Sequence, residues 1–580
     1  MTRNQLHLAL IGSGGDGVVA SATMIMQTAA RMGLYGIMTQ SYGPQIRGGE
    51  SAAYVSVSTD PIAVVGDHKD LVVCFRFSDV NPFRQEVAMA ADVTLLHPKE
   101  EQADLPEVLK AKNLRRIPVP FQELLAAEGL PEIAKNVMVF GIILQALGWQ
   151  KKYGEDCIKD IFSRKSDAVI SANLRAFDIG YHHLKEKISL PTLSPKQVVK
   201  RELISGNELC ARSAVDAGCR FFAGYPITPS SEIMETIYDL LPKVGGKLLQ
   251  AEDEIAAIGM VLGASFGGVP AMTATSGPGL SLMTEMMGIS SMTEIPAVIV
   301  DCQRVGPSTG IPSRAEQSDL WHALYAGHGD APRAVLAPMD VPSCHRTMFQ
   351  AFHLAETYQL PVLVLSDAII AQSQQIIDNL ETTGLPQGKR QTFQGNGGSP
   401  YLRFSLAHTN DPGWNGVSPI ALPGTPGTMH TIAGIEHNEM GKISSDAKQH
   451  EIMNRKRFRK LDYLAEETAS WFHIFGNPTA KHRVVAWGSV ASVLERYVTT
   501  HKDMALFVPE ILSPFPIAAL QDFLAGARRS SIVEQNFQGQ LYHYLRSLGT
   551  IDGKTEKICR SGGLAFSNDE LDRLFQEGGA

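Results

Sequence analysis

Apolar runs broken at intervals by glycine- and proline-rich turns dominate the chain. Leu6 to Ile11 is continuously apolar apart from His7, as in a strand buried on both faces. It ends in Gly12-Ser13-Gly14-Gly15-Asp16-Gly17, and the Ala- and Met-rich stretch Val18 to Met32 after it reads as a helix. The alternating Ala53 to Val57 and the short runs Leu71 to Phe75 and Val93 to Leu96 predict further strands, and Val137 to Leu147 a helix. A first α/β unit thus ends near residue 185. A Pro- and Lys-containing linker, Leu190 to Lys200, follows it.

The second unit opens at Gly206-Asn207-Glu208 with a helical pattern through Leu209, Ala214 and Ala217. Strand-like runs then alternate with helices: Cys219 to Ala223, Leu248-Leu249, Ala271 to Thr275, Ala297 to Asp301, Ala334 to Leu336 and Val362 to Leu365. Such alternation predicts a parallel sheet covered on both faces. Ligands of these sheets sit at the carboxyl ends of strands. Tyr225, Glu254, Ser276 and Arg304 each follow a strand-like run, so they can converge on one rim.

From Asp378 to Ser445 the pattern fades into a polar, Gln- and Gly-rich and then loop-rich connector. A charged helix comes next, with Arg455, Lys456, Arg457, Arg459 and Lys460 near Asp462, Glu466 and Glu467, read as a solvated face. Alternation returns with Arg483 to Trp487, Ala505 to Val508 and Ser531 to Glu534, and a helix holds Tyr542 and Leu545. A third α/β unit of about 100 residues suits a chain of this length.

Composition narrows the function classes. With 580 residues, 44% hydrophobic, the chain can build several cores. Its net charge of -8, 52 basic against 60 acidic side chains, argues against nucleic acid or an anionic membrane as partner. The apolar run after Gly17 is broken by Thr23, Gln27 and Arg31, unlike a signal peptide or a membrane helix, so a cytoplasmic protein is expected. The seven cysteines are scattered without any Cys-x-x-Cys spacing, so this chain is not expected to hold a disulfide framework, a zinc site or an iron-sulfur cluster.

Two stretches carry candidate chemistry. The glycine turn of residues 12 to 17 formally matches a dinucleotide cradle, yet Gly36 to Gln45 offers no acid for a ribose hydroxyl, which lowers the nicotinamide reading. A tight strand-to-helix turn is the alternative. The loop Ser41 to Ser51, with Arg47 beside Gly48 and Gly49, reads either as a close approach to a planar or anionic group or as a structural loop. In the second unit Glu254 opens a helix with Ile255, Ile258 and Leu262 at three- and four-residue spacing and with small residues between them. It reads as an N-terminal helix charge, the role given to Glu252 and Asp253, or as a desolvated carboxyl sharing a proton with a ring nitrogen.

Together, Tyr225-Pro226-Ile227-Thr228-Pro229-Ser230, the Glu254 helix, Thr273-Ala274-Thr275-Ser276-Gly277-Pro278-Gly279 and Gln303-Arg304-Val305-Gly306-Pro307-Ser308-Thr309-Gly310 resemble the α subunit of 2-oxoacid:ferredoxin oxidoreductases. The glycine turn and Tyr42-Gly43-Pro44-Gln45-Ile46-Arg47-Gly48-Gly49 are similar to the γ domain of those enzymes, here fused in front. The resemblance implies an α/β architecture of three domains. These are a γ-like domain over 1–190, a linker over 191–205, a pyrimidine-type thiamine diphosphate domain over 206–377, a connector over 378–480 and a transketolase C-terminal-like domain over 481–580. Within the family the fused chain looks most like the 2-oxoglutarate enzyme, which joins a 2-oxoacid to coenzyme A, releases carbon dioxide and passes electrons to ferredoxin, or fixes carbon dioxide in reverse.

The resemblance further implies that Glu254 pairs with the aminopyrimidine of thiamine diphosphate, among cofactor contacts that include Tyr225, Pro226, Ile227 and Ser276. Thr228 would lie near the 2-oxoacid carboxylate, and Arg304 or Arg314 would clamp it, unless either forms a structural ion pair. Asp16 stands where the family's γ turn usually carries Gln, and its charge would weaken a phosphate cradle there. The second unit has no Gly-Asp-Gly followed by Asn to anchor a diphosphate. No metal ligand is assigned to this chain. A β partner is therefore expected to bring the diphosphate site, magnesium and the iron-sulfur cluster, within a dimer of αβ heterodimers. Pyruvate or another 2-oxoacid as substrate, a non-oxidative thiamine enzyme and a non-catalytic scaffold subunit are the alternatives.

Overall fold

The computed structural model describes residues 4–43, 49–101, 103–184, 188, 190–197, 199–395 and 401–577. The chain divides into two compact units, Met1–Ser205 with Gln372–Leu380, and Gly206–Ala371 with Glu381–Ala580. Both are α/β.

The first unit is built on an eight-stranded mixed sheet. Gln5–Ser13 pairs antiparallel with Glu50–Ser58 and parallel with His68–Cys74. Leu8, Ala9, Leu10 and Ile11 are wholly buried, which accounts for the lack of polar alternation in this run. Two short strands distant in sequence complete the sheet: Gln374–Ile377 pairs antiparallel with both Tyr35–Tyr42 and Glu202–Ser205. Residues 202–205 lie inside the stretch expected as a linker, and four residues are too few for periodicity to register. Gly43 N–H donates to Glu50 O (2.8 Å) across the neck of the loop read for a planar or anionic partner. That reading falls on residues 44–48, Arg47 included, which lie outside the described residues.

The glycine turn is closed by its own acid. Asp16 is buried and accepts the Ser13 N–H at 2.9 Å. Lys135 Nζ lies 2.7 Å from one carboxylate oxygen and Arg76 Nη2 3.3 Å from the other. Burial acts to raise the Asp16 pKa, but the Lys135 and Ser13 hydrogen bonds and the two cations outweigh it and hold the carboxyl below its ordinary value. Ser13 Oγ in turn donates to Asp79 at 2.8 Å.

The second unit holds a seven-stranded and a five-stranded sheet. In the seven-stranded sheet, Lys247–Gln250, Phe221–Gly224, Ala271–Thr275, Ala297–Gln303, Pro361–Asp367 and Ala334–Leu336 lie side by side and parallel. Ile511–Ser513, from the C-terminal part of the chain, adds an antiparallel edge. The five-stranded sheet is parallel apart from Phe472–Gly476. One apolar core serves both sheets, with Ile299 and Leu363 from the first and Val485 and Phe507 from the second.

The charged helix Ala447–Glu467 departs from its expected solvated face. Arg455 points outward, but Lys456, Arg457 and Lys460 are buried. Lys456 Nζ and Lys460 Nζ both sit 2.6 Å from the carboxylate of buried Glu294, and Arg403 donates to the Glu294 carbonyl at 2.7 Å. Arg457 pairs with Glu436 at 2.7 Å. Burial opposes every charge here. The lysines and Arg403 outweigh it at Glu294, which is held well below the carboxylate range, whereas with three cations facing one anion burial prevails at Lys456, lowered to about 7, and Lys460, lowered to about 8. Glu294 lies more than 150 positions before these lysines, so composition alone could not separate this buried lock from a wet face. No helix among the described residues is long and apolar enough to cross a membrane.

Candidate active site

Four neighbouring strand ends build one rim. Gly224 and Gln250 are in register, and Ala251 N–H donates to Gly224 O at 2.9 Å, so the turn after Gly224 and the turn leading to Glu254 meet. Ala271–Thr275 and Ala297–Gln303 follow in the sheet and deliver Ser276 and Arg304 to the same edge. Parallel strands force this convergence, because every carboxyl end lies on one side.

The Tyr225 to Ser230 turn presents Tyr225, Pro226 and Thr228 to solvent and leaves Ile227 half-buried. Ser230 pins the turn, its N–H and Oγ donating to Ile227 O at 2.9 and 3.0 Å. Asn207 reaches under it, Nδ2 donating to Pro229 O at 2.8 Å and to Glu232 at 3.2 Å. Arg304 is 6% exposed and donates from Nη1 to Thr228 O at 2.6 Å, which unites two of the expected substrate residues. Arg304 Nε is buried and unpartnered.

Glu254 is the first residue of the helix Glu254–Phe266. The cap is supplied by Asp253, whose side chain accepts Ala256 N–H at 2.7 Å, so Glu254 is not needed for that task. The Glu254 carboxylate is 5% exposed and accepts no hydrogen bond from any described residue. It lies against Gly279, where an added Cβ would meet both Glu254 Oε1 and Thr275 Oγ1. Only glycine fits between them. Ser276, the N-terminal cap residue of the helix Gly277–Thr293, makes no capping hydrogen bond, and its buried Oγ is unpartnered, as is Thr273 Oγ1.

Arg314 ends the exposed loop 306–313. Its carbonyl accepts Val305 N–H at 2.9 Å, its own N–H donates to Ile311 O at 3.1 Å, and its Cβ packs on Gly563. From the sequence alone, Asn207, Gly279, Gln303, Asp301 and Asp319 received no site role. Asp301 and Asp319 face each other behind Arg304, and Gln303 accepts Asp319 N–H at 3.1 Å. An acid ending an apolar strand (Asp301) and one preceding a helix (Asp319) were the available signals. Among the described residues no cluster of His, Cys, Asp or Glu has the arrangement of a metal site. The rim therefore offers a buried carboxylate, unpartnered hydroxyls and a desolvated guanidinium. These can protonate or hydrogen-bond a heterocycle and hold a carboxylate.

Known proteins are similar to this chain over most of its length. The family described as "Pyruvate flavodoxin/ferredoxin oxidoreductase, thiamine diP-bdg" matches residues 212–456, and "Pyruvate ferredoxin/flavodoxin oxidoreductase" matches residues 7–183. The 2-oxoacid:ferredoxin oxidoreductase subunit alpha of a Sulfolobus species is 30% identical, over 98% of this chain and 96% of its own length. The 2-oxoglutarate synthase subunit KorA of Methanothermobacter thermautotrophicus is 53% identical over 63% of this chain and 96% of its own. A solved 2-oxoglutarate:ferredoxin oxidoreductase from Magnetococcus marinus, with 2-oxoglutarate, coenzyme A and succinyl-CoA bound, covers 99% of this chain and 100% of its own at 31% identity and a TM-score of 0.91. Such identity, sustained along both chains, means that this chain belongs to the 2-oxoacid:ferredoxin oxidoreductase family, as an α subunit.

Proposed function

We propose that this chain is the fused γ-α subunit of a 2-oxoglutarate:ferredoxin oxidoreductase, which converts the 2-oxoacid and coenzyme A to the acyl thioester and carbon dioxide with electrons passed to ferredoxin. The reading rests on Glu254, a nearly buried carboxylate with no described partner, next to a glycine that leaves room for nothing but its carboxyl. Burying such a group without a partner costs several kcal/mol, on the order of 2–7 for a neutral polar group and more for a charge, unless a ligand completes it. The substrate assignment draws on the printed names of the KorA relative and the Magnetococcus marinus enzyme.

The rim fits the pyrimidine half of thiamine diphosphate. Glu254 would hold a proton against a ring nitrogen, and Tyr225, Pro226, Ile227 and Ser276 would border the ring. When bound, that cofactor supplies a carbon nucleophile and an electron sink for decarboxylation. Thr228, with Arg304 or Arg314, would orient the carboxylates of the 2-oxoacid. The second unit has no matching residues for the diphosphate, so we assign that site, magnesium and the iron-sulfur cluster to a β subunit, in a dimer of αβ heterodimers.

Dye reduction by the co-expressed α and β chains, measured with each 2-oxoacid with and without coenzyme A, tests this. Coenzyme A-dependent turnover fastest with 2-oxoglutarate is expected. Faster turnover of pyruvate would overturn the substrate, and turnover without any electron transfer would overturn the reaction class.

A further inference from the structure

A group of unsatisfied buried polar atoms in the second unit lies near Arg304. Both carboxylate oxygens of Asp301 and Oδ2 of Asp319 are buried, and no described N–H or O–H donates to them. Asp301 is on the wholly buried strand Ala297–Gln303. Asp319 comes from the segment after the exposed loop, its backbone fixed by Gln303, and its Oδ2 approaches the start of the Ser276 helix, where a Cβ at Gly277 would lie 2.8 Å away. The cation facing the pair is Arg304, whose Nε is also buried and unpartnered. Glu316, which accepts Gly562 N–H at 2.8 Å, is the further acid acting on Asp319.

Two acceptor-only groups cannot satisfy one another, but a single proton between them turns one into a donor. The pair then carries one negative charge against the one positive charge of Arg304. We propose that Asp301 and Asp319 are positioning residues that share a proton and act as the counter-charge of Arg304, taking up a second proton when a substrate carboxylate binds that arginine. The inference rests on the reading of Arg304 as the carboxylate anchor.

Electrostatics give the direction. Burial and the neighbouring Asp319 carboxyl push Asp301 well up, opposed by Arg304. Burial raises Asp319 as well, opposed by a proton shared with Asp301 and by Arg304, with Glu316 adding to the rise. A carboxylate on Arg304 cancels the cation that restrains both acids, so their proton affinity increases on binding. Binding therefore consumes a proton, and affinity falls as pH rises past the free pair's titration. Without the pair Arg304 would be buried uncompensated at rest, and with a pair that kept its charge it would be over-compensated in the complex.

The test uses the assembled complex. With 2-oxoglutarate, KM should climb as pH rises above about 6, the value to which Asp319 is raised, approaching tenfold per pH unit for one linked proton, while kcat does not share that slope. In Asp319→Asn the KM slope should flatten, because an amide cannot take up the proton. Glutarate, a dicarboxylate without the 2-oxo group, tests binding alone. Calorimetry in two buffers of different ionisation enthalpy should show about one proton taken up per glutarate in the unmodified complex and none in the variant. If Asp319→Asn does not assemble, Asp301→Asn tests the other half of the pair with the same readouts. An undiminished KM slope and proton uptake in the variant would overturn the proposal. Inactivity of the unmodified complex with every 2-oxoacid would instead overturn the proposed function, while glutarate calorimetry would still decide the proton uptake.

Discussion

The glycine turn of the first unit and the rim of the second are both strand-to-helix junctions with an acid at hand, and they differ in how their polar groups are satisfied. At the first, Asp16 accepts the Ser13 N–H and pairs with Lys135 and Arg76, and Ser13 Oγ donates to Asp79. At the second, Glu254 accepts nothing from described residues, and Ser276 Oγ, Thr273 Oγ1, Arg304 Nε and the Asp301 carboxyl are buried without partners. Native interiors rarely tolerate orphaned polar groups, so a concentration of them marks a place completed from outside. By the same measure the first junction is satisfied among the described residues.

Substitutions should separate the two junctions sharply. Glu254→Gln keeps the shape of the side chain and removes its acid-base capacity. Turnover of the assembled complex should fall roughly 100- to 10,000-fold, the range for one positioned acid-base group. The thermal midpoint should hold or rise, since no described hydrogen bond is lost and an unpartnered buried charge is removed. A turnover close to that of the unmodified complex would remove Glu254 from the mechanism and with it the main contrast.

Asp16→Asn should give the reverse pattern, leaving turnover alone while costing about 1.5–3 kcal/mol, the worth of hydrogen bonds to a charged group. Because the folded-state pKa of Asp16 lies below its ordinary value, its contribution is fully present above the usual aspartate range and is lost as pH falls through the lowered value. Chemical denaturation at neutral and acidic pH measures this: the gap between the two proteins should close toward low pH. A gap that persists in acid would mean that packing, rather than charge, gives Asp16 its role.

Much of this contrast could be read in the sequence, but unevenly. The Phe221, Lys247, Ala271 and Ala297 strands and the residues just beyond them were legible, because a parallel sheet fixes which end carries loops. Glu254, Ser276 and Arg304 therefore reach the expected edge, and Arg304 meets Thr228. The helix of Lys456 and Lys460 was not legible, since its partner Glu294 lies far away in sequence and a buried ion lock has the composition of a wet surface. Gly279 and Asn207 were missed for a related reason. Their importance lies in what stands opposite them, and a single sequence carries no record of that. Asp16 stood out as unusual in the glycine turn, but only Lys135, over 100 residues away, shows why it is stable there.

Ser276→Ala probes the smallest effect and the most discriminating one. Its hydroxyl is buried, caps nothing and has no partner, so the folded chain gains nothing from it. Removing an unsatisfied buried hydroxyl should leave the chain unchanged or stabilise it by up to about 1 kcal/mol, whereas a serine capping a helix would lose about 1 kcal/mol on the same change. Thermal melting of the chain without ligands gives the sign. If the hydroxyl is kept for a ligand at the rim, the same variant should show weaker saturation by added thiamine diphosphate in the assembled complex. A clear loss of stability in the chain alone would mean that Ser276 is already satisfied by the fold, as Ser13 is at the first junction, and would make the two junctions alike at that residue.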